Sequence, residues 1–92
     1  MTDPGGYRVE VAGPARRGLH RLPGRVAAAV IEFITGRLAD KPARLSNSLS
    51  GKLTGLRSAP RGDYRVLIRV HEASRTVLVV RIDHRADLYR RR

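Results

Sequence analysis

The fold of this chain is decided by residues 62–70, which read Gly-Asp-Tyr-Arg-Val-Leu-Ile-Arg-Val. Gly62 and Asp63 form a turn signal, and the residues after them alternate with the period of an extended strand. The apolar side of this strand consists of Tyr64, Val66, Ile68 and Val70. The opposite side consists of Arg65, Leu67 and Arg69. We therefore expect a strand that packs on a core with one side and presents two cations on the other.

Further strands flank this segment, clearly after it and more weakly before it. Residues 72–75 have the length of a hairpin loop, and residues 76–83 alternate as a return strand. In that strand one side is made of Leu78, Val80 and Ile82, and the other of Val77, Val79 and Arg81. Residues 53–58 predict a weak strand and residues 59–62 a turn or edge segment, because Pro60 cannot donate to a ladder.

A strand and two amphipathic helices come earlier in the chain. Residues 7–12 alternate with period two, whereas residues 15–22 and 23–38 carry apolar side chains at helical spacing. Pro23 and Gly24 separate the two helices so closely that we expect a helical hairpin. The element order β-α-α-β-β-β predicts an α+β fold, in which this hairpin packs on an antiparallel sheet.

Length and composition predict one domain over residues 1–92, with residues 1–6 as a flexible lead-in and residues 84–92 as a basic tail. The chain has no cysteine, and its three histidines do not stand at metal-ligand spacing, so we expect neither a metal nor a cofactor. The first residues lack signal-peptide features, and no apolar run approaches the roughly 18 residues that span a bilayer. A cytoplasmic protein without a membrane partner is therefore expected.

Positive charge is the dominant compositional feature. Lys and Arg number 19 against 8 acidic residues, which gives a formal net charge of +11. A guanidinium group binds phosphate through two hydrogen bonds, so the charge favours a nucleic acid, a phosphate-rich ligand or an acidic protein as partner. An arginine-biased genome explains much of the preference for arginine over lysine, but not the net excess of charge.

The candidate site is the basic cluster around the central strand. Its members are Lys52, Arg57, Arg61, Arg65, Arg69, Arg81, His84, Arg85 and Tyr89. In an antiparallel hairpin we expect them to converge on one sheet face and its rim, forming a surface that binds phosphate without reading bases. Arg65 has the strongest claim, because an unpaired cation in mid-strand beside Leu67 is unfavourable. Arg69 and Arg81 are explained equally well as solvated cations, and Tyr64 is expected in the core.

Two short motifs carry a resemblance to a known family. Residues 62–67 read Gly-Asp-Tyr-Arg-Val-Leu, and residues 82–89 read Ile-Asp-His-Arg-Ala-Asp-Leu-Tyr. In this order the two motifs resemble the RelE/ParE superfamily of bacterial toxins, and the likeness extends over about residues 7–90. The resemblance implies a small α+β toxin of a type II toxin–antitoxin system. It also implies an acidic, RelB-like antitoxin as partner, and contact with operator DNA only indirectly, through that antitoxin.

The two branches of this superfamily imply different activities. RelE-like toxins are ribosome-dependent endoribonucleases that cut mRNA in the ribosomal A site, so the ribosome and mRNA are the implied partners. ParE-like toxins inhibit DNA gyrase and need no nuclease site. A third interpretation, from composition alone, is a basic RNA- or DNA-binding module without toxicity.

The resemblance also implies roles for individual residues. Arg65 matches the strand arginine that holds the scissile phosphate, and Arg85 approximately matches a basic residue near the leaving oxygen. Tyr89 matches a terminal tyrosine that orients or stacks on RNA, and His84 is the candidate acid or base. Phosphate contacts are expected from Lys52, Arg57, Arg61, Arg69 and Arg81. The segment before the central strand departs from the RelE pattern, so the general base and the choice between the two branches stay open.

Overall fold

The protein is a five-stranded sheet with two helices packed on one face, in a computed structural model that describes residues 6–84. The strands are β1 (Arg8–Val11), β2 (Asn47–Ser48), β3 (Arg57–Arg61), β4 (Tyr64–His71) and β5 (Thr76–His84). The helices are α1 (Gly13–Arg21) and α2 (Gly24–Phe33), and α2 continues as a π-helical turn over Ile34–Leu38. A 3-10 turn covers Gly51–Leu53.

The strands lie side by side in the order β1-β5-β4-β3-β2. Strands β2 to β5 pair antiparallel, which confirms the predicted α+β architecture of helices on an antiparallel sheet. Two details differ from the prediction, namely a fifth strand of two residues and the parallel pairing of β1 with β5. Parallel neighbours need a long crossover, and the chain between β1 and β5 contains both helices and three strands.

The core lies between the helices and the sheet. It contains Val66 and Ile68 of β4, Val30 and Phe33 of α2, and Ala15 of α1, all of them buried. Val70 packs against this cluster, so the apolar row of the central strand faces the helices as predicted. We call the opposite side of the sheet the outer face, and it carries the alternate side chains of β4, Arg65, Leu67 and Arg69.

A β-bulge in β5 changes which side chains of that strand reach the core. Leu67 lies opposite Arg81 and Ile68 lies opposite Val79, so Val80 has no partner on β4. The alternation is therefore shifted by one residue, and the buried side chains are Val77, Val79 and Ile82. The predicted grouping of Leu78 and Val80 with Ile82 is wrong for this reason. The bulge also places Arg81 on the outer face beside Leu67.

Strand β3 begins further along the chain than the sequence predicts. The pattern favours extended backbone over residues 53–58, but Gly51–Leu53 forms the 3-10 turn and the strand runs over Arg57–Arg61. Pro60 is accommodated because β2 pairs only with Ser58 and Arg57, so that no strand of the described residues pairs with this edge of β3 at Pro60. The two-residue loop that follows has Gly62 at a φ of 61°, a conformation that favours glycine.

Within residues 6–84, no helix combines the length and the apolar character needed to cross a membrane.

Candidate phosphate-binding face

Arg65 lies near the start of β4 and points to the outer face. Its neighbour across the sheet is Asp83 of β5, whereas its neighbour on β3 is Pro60. The side chain is half-buried, yet it forms no hydrogen bond or ion pair with any residue between 6 and 84. A partly desolvated guanidinium without an anion is unfavourable, so this position is well suited to an anionic ligand.

A tight ion pair lies beside Arg65. The guanidinium of Arg81 donates from Nη2 and from Nε to Asp83 Oδ2, at 2.6 Å and 2.7 Å. Arg81 retains 33% of its side-chain exposure and Asp83 retains 13%. Arg81 is thus held in one orientation with much of its guanidinium still accessible, and its charge is partly balanced by Asp83.

The other end of the outer face brings Arg69 against the loop that carries Lys52. A Cβ atom at Gly55 would lie 3.1 Å from Nη1 of Arg69, so this guanidinium covers Gly55 directly. Gly55 has a φ of 96°, and the exposed Lys52 is three residues earlier in the same loop. The fold therefore places Arg65, Arg69 and Arg81 on the outer face, with the loop of Lys52 at its border.

Arg57 and Arg61 lie on the other side of the sheet. Their neighbours on β4 are Ile68 and Tyr64, which face the helices. The guanidinium of Arg61 lies over the ring of Phe33, 5.9 Å from its centroid. The prediction that these two arginines converge on the same face as Arg65 is wrong. The register of β3 places them opposite residues of β4 that face the helices, whereas Arg65 lies opposite Pro60.

Arg57 makes four hydrogen bonds, one to β2 and three to the segment that connects α2 to β2. It donates from Nε to Ser46 Oγ at 2.7 Å and from Nη1 to Ser48 Oγ at 2.8 Å. Its Nη2 donates to the carbonyl oxygens of Ser46 at 3.0 Å and Ala43 at 3.1 Å. Since all three nitrogens are engaged, Arg57 binds the connecting segment in this structure.

His84 also lies away from Arg65. It pairs with Tyr64 across the hairpin, and the two rings meet edge to face with centroids 5.1 Å apart at 87°. Alternation then puts His84 on the helix side, so the predicted convergence on one face is wrong for this residue too. Tyr64 faces the helix side as expected. Arg85 and Tyr89 lie outside the described residues, and their predicted roles stay predictions.

Comparison with known proteins decides the family. The sequence profile of the family described as the ParE toxin of the type II toxin–antitoxin system parDE matches residues 9–89. The chain belongs to this toxin family. It is 48% identical to toxin RelG of Mycobacterium tuberculosis over 85 residues, which cover 92% of this chain and 98% of RelG.

Two further relatives agree with this assignment. Toxin RelE of Mycobacterium tuberculosis is 41% identical over 90 residues, covering 98% of this chain and 93% of RelE. The crystal structure of the toxin–antitoxin complex RelBE2 from the same organism contains a chain that superposes with a TM-score of 0.84 at 45% identity. That match covers 87% of this chain and 99% of the other. The protein is therefore a RelE/RelG-type toxin, as its two motifs predicted.

This ParE-family toxin has two further cations near the candidate site that the sequence analysis did not include. Arg17 and Arg21 of α1 line a small surface cavity together with Arg81 and Asp83. Their spacing of four residues signals a shared helix side. Nothing in the local sequence shows, however, that this side of α1 lies beside β5. Only the packing of α1 against the sheet brings the two arginines to Arg81 and Asp83.

The chemistry available to the toxin on its outer face is electrostatic. Arg65, Arg69 and Arg81 can bind the non-bridging oxygens of phosphates and offset charge that develops on them. A guanidinium stays protonated at neutral pH and does not accept a proton as a base. The outer face is thus suited to phosphate binding and charge stabilisation, and its arginines are not suited to proton abstraction.

Proposed function

We propose that this toxin inhibits translation by cutting mRNA in the ribosomal A site. The observation that carries the proposal is Arg65, a half-buried cation on the outer face without an internal partner among residues 6–84. The similarity to toxins named RelE and RelG supports the RelE branch. Ribosome-dependent cleavage suits a site rich in phosphate-binding groups, because the ribosome supplies the alignment of the reacting atoms.

In the proposed reaction the 2′-hydroxyl oxygen of one nucleotide attacks its own 3′-phosphorus. The bond from phosphorus to the 5′-oxygen of the next nucleotide breaks, the 2′-hydroxyl loses its proton and the 5′-oxygen gains one. The products are a 2′,3′-cyclic phosphate and a free 5′-hydroxyl end. Arg65 holds the non-bridging oxygens and offsets their growing negative charge. Arg85, Tyr89 and His84 are the candidates for charge at the leaving oxygen, stacking on RNA and proton transfer.

The proposal is tested by translation in a purified cell-free system. Added toxin should cut mRNA within ribosome-occupied codons, as mapped by primer extension, and should leave the same mRNA largely intact without ribosomes. Arg65→Ala should lower the cleavage rate by about 100-fold or more, the range for loss of one preorganised charge-stabilising donor. Arg44→Ala removes an exposed arginine from the connecting segment and serves as the matched control. Normal translation with intact mRNA at saturating toxin would exclude this activity.

A ParE-like inhibition of DNA gyrase is the second candidate, because the matching family profile describes the ParE toxin of parDE. It predicts loss of gyrase supercoiling with mRNA left intact. A supercoiling assay run beside the translation assay distinguishes the two activities. Inhibition of supercoiling that persists in Arg65→Ala, together with uncut mRNA, would assign the protein to the ParE branch.

We further propose that an acidic, RelB-like antitoxin neutralises this toxin. The formal charge of +11 and the RelBE2 complex of the relative support such a partner. If charge pairing dominates the interaction, the dissociation rate should rise and the association rate should fall as NaCl increases. Affinity that is independent of salt would instead indicate apolar contacts.

A further inference from the structure

A cavity of about 170 Å³ lies where α1 meets the free edge of β5. Its walls are formed by Pro14, Arg17, Gly18, Arg21, Arg81, Ile82 and Asp83. Three of these side chains are arginines and one is acidic. The cavity is continuous with the outer face, because Asp83 both accepts from Arg81 and lies across the sheet from Arg65.

The fold creates this cavity by ending β1 early. The last residue of β1, Val11, lies opposite Val79, so none of the strands within residues 6–84 pairs with the edge of β5 beyond Val79. Helix α1 takes that place, and it approaches so closely that a Cβ atom at Gly18 would lie 3.1 Å from the carbonyl oxygen of Ile82. Arg17 and Arg21 extend from the same helix side along this edge.

The charges at this edge are not balanced within the described part of the protein. Asp83 is already bound to Arg81. Arg17 and Arg21 are exposed, form no ion pair with any residue from 6 to 84, and belong to a helix without an acidic side chain. Like charges four residues apart on a helix repel each other. A bound anion would relieve this repulsion and would complete the arrangement of three guanidinium groups.

We propose that Arg17, Arg21 and Arg81 form a second phosphate site, which binds a backbone phosphate of RNA next to the one that Arg65 holds. The inference rests on the proposed function, since it extends the same RNA-binding face. RNA fits better than an acidic peptide, because the site continues the row from Arg65 through Arg81 and the phosphates of a strand repeat at regular intervals. Arg17 and Arg21 thereby position RNA, whereas Arg65 contacts the reacting phosphate.

The test compares a double variant with a charge-matched control in the full-length protein. Arg17→Gln/Arg21→Gln removes two charges from the cavity, and Arg37→Gln/Arg44→Gln removes two exposed charges elsewhere. Both are titrated with a fluorescent single-stranded oligoribonucleotide over a range of NaCl concentrations. The cavity variant should bind at least 10-fold more weakly than the control at low salt. Its plot of log affinity against log salt should be shallower by about 0.7 for each phosphate that the variant no longer neutralises.

Two further arms identify the source of the phosphate. If the message supplies it, the cavity variant should raise KM for cleavage on programmed ribosomes with kcat almost unchanged, and should bind empty ribosomes as the control does. If ribosomal RNA supplies it, the variant should bind empty ribosomes more weakly as well. Arg17→Lys/Arg21→Lys retains the charge and should recover much of the affinity.

Equal affinity and equal salt dependence in the cavity and control variants would overturn the second phosphate site. Loss of antitoxin binding with unchanged RNA binding would overturn it as well and would assign the cavity to an acidic protein. If the wild-type toxin cuts no mRNA, the proposed nuclease function fails, whereas the oligoribonucleotide titration still decides the phosphate site. Matching thermal unfolding midpoints show that the variants remain folded.

Discussion

At the scale of single residues, arginines of one sheet have different tasks according to the side on which they lie. Arg65 and Arg81 are on the outer face, where one lacks an internal partner among residues 6–84 and the other is held by Asp83. Arg57 and Arg61 are on the helix side and contact protein groups. Charge alone therefore does not mark a ligand-binding arginine, and the partner groups around each guanidinium decide its task.

Arg57→Ala should destabilise the fold. It removes three hydrogen bonds to the connecting segment and one to Ser48 of β2, and it leaves the buried hydroxyl of Ser46 with its bond to Pro42 alone. Bonds to charged groups contribute about 1.5–3 kcal/mol each, but partial exposure lowers the sum, so we expect a loss of about 2–4 kcal/mol. Urea unfolding measures this loss. Arg57→Lys should not restore the stability, because an ammonium group cannot donate from three separate nitrogens as the guanidinium does. A change below about 0.5 kcal/mol, as for a surface site, would contradict this role.

Tyr7 should make the stability depend on pH in the alkaline range. Its hydroxyl donates to Glu72 Oε1 at 2.6 Å, and this hydrogen bond raises the pKa of Tyr7 above its usual value of 10.0. The folded state then holds this proton more tightly than the unfolded chain does. The resulting stabilisation is present below about pH 10 and is lost as the pH rises through the raised pKa.

Tyr7→Phe isolates this contribution. The substitution keeps an aromatic ring beneath Arg75, whose guanidinium lies 4.3 Å from the ring centroid of Tyr7. The difference in unfolding free energy between wild type and Tyr7→Phe should be constant at neutral pH and shrink above about pH 10. A difference that grows with alkaline pH would show that the phenolate is the favoured form in the folded state.

At the scale of elements, the contact between α1 and β5, which we call the seam, connects the core to the outer face. Gly18 allows the close approach of α1 to Ile82. Strand β5 is an interior strand of the sheet, which pairs with β1 on one side and β4 on the other. Its bulge at Val80 places Arg81 on the outer face. The seam and the bulge together position the arginines of both proposed phosphate sites.

Gly18→Leu should weaken this seam, whereas Gly36→Ala should not. At Gly18 even a Cβ atom meets a backbone oxygen at 3.1 Å, so a longer side chain must push α1 away, at a cost of about 1–3 kcal/mol. At Gly36 a Cβ atom meets nothing within 4 Å, and replacing a helical glycine by alanine should stabilise by up to about 1 kcal/mol. Thermal or urea unfolding of the two variants should shift in opposite directions. If Gly18→Leu were as stable as Gly36→Ala, α1 would be able to move away from Ile82 without cost, which would contradict this role of Gly18.

At the scale of the whole molecule, positive charge greatly exceeds negative charge. The formal net charge is +11, because only 8 acidic residues face 19 Lys and Arg. Such an excess of like charge disfavours the compact state through self-repulsion. An anionic partner such as RNA or an acidic antitoxin lowers this repulsion, so binding and stability are coupled through the same charges.

Salt should therefore stabilise the isolated toxin. Screening weakens the repulsion among many exposed cations, and the few acidic residues leave little internal attraction for it to weaken. The thermal unfolding midpoint of the free protein should rise between about 0.05 M and 0.5 M NaCl, while the affinity for RNA falls. A midpoint that falls over this range would mean that attractive charge pairs dominate.

Local sequence patterns were sufficient for the features that depend on neighbouring residues. Period-two alternation predicted β1, β4 and β5, apolar spacing predicted both helices, and Gly62 marked the turn before the central strand. These features follow from local backbone geometry and side-chain direction, which a short window of residues contains. The outer-face position of Arg65 came from the central segment, and the family came from this segment together with residues 82–89.

Other features depend on pairing between distant segments, and they emerge only in the packed molecule. The bulge at Val80 shifts the register between β5 and β4, and it puts Val77 and Val79 on the side opposite to Arg81, with which the sequence pattern grouped them. The start of β3 at Arg57 turns that arginine toward the connecting segment. Arg17 and Arg21 reach the edge of β5, beside Arg81, because β1 ends opposite Val79. Register and helix packing are set by contacts between residues far apart in the chain, and no local pattern specifies them.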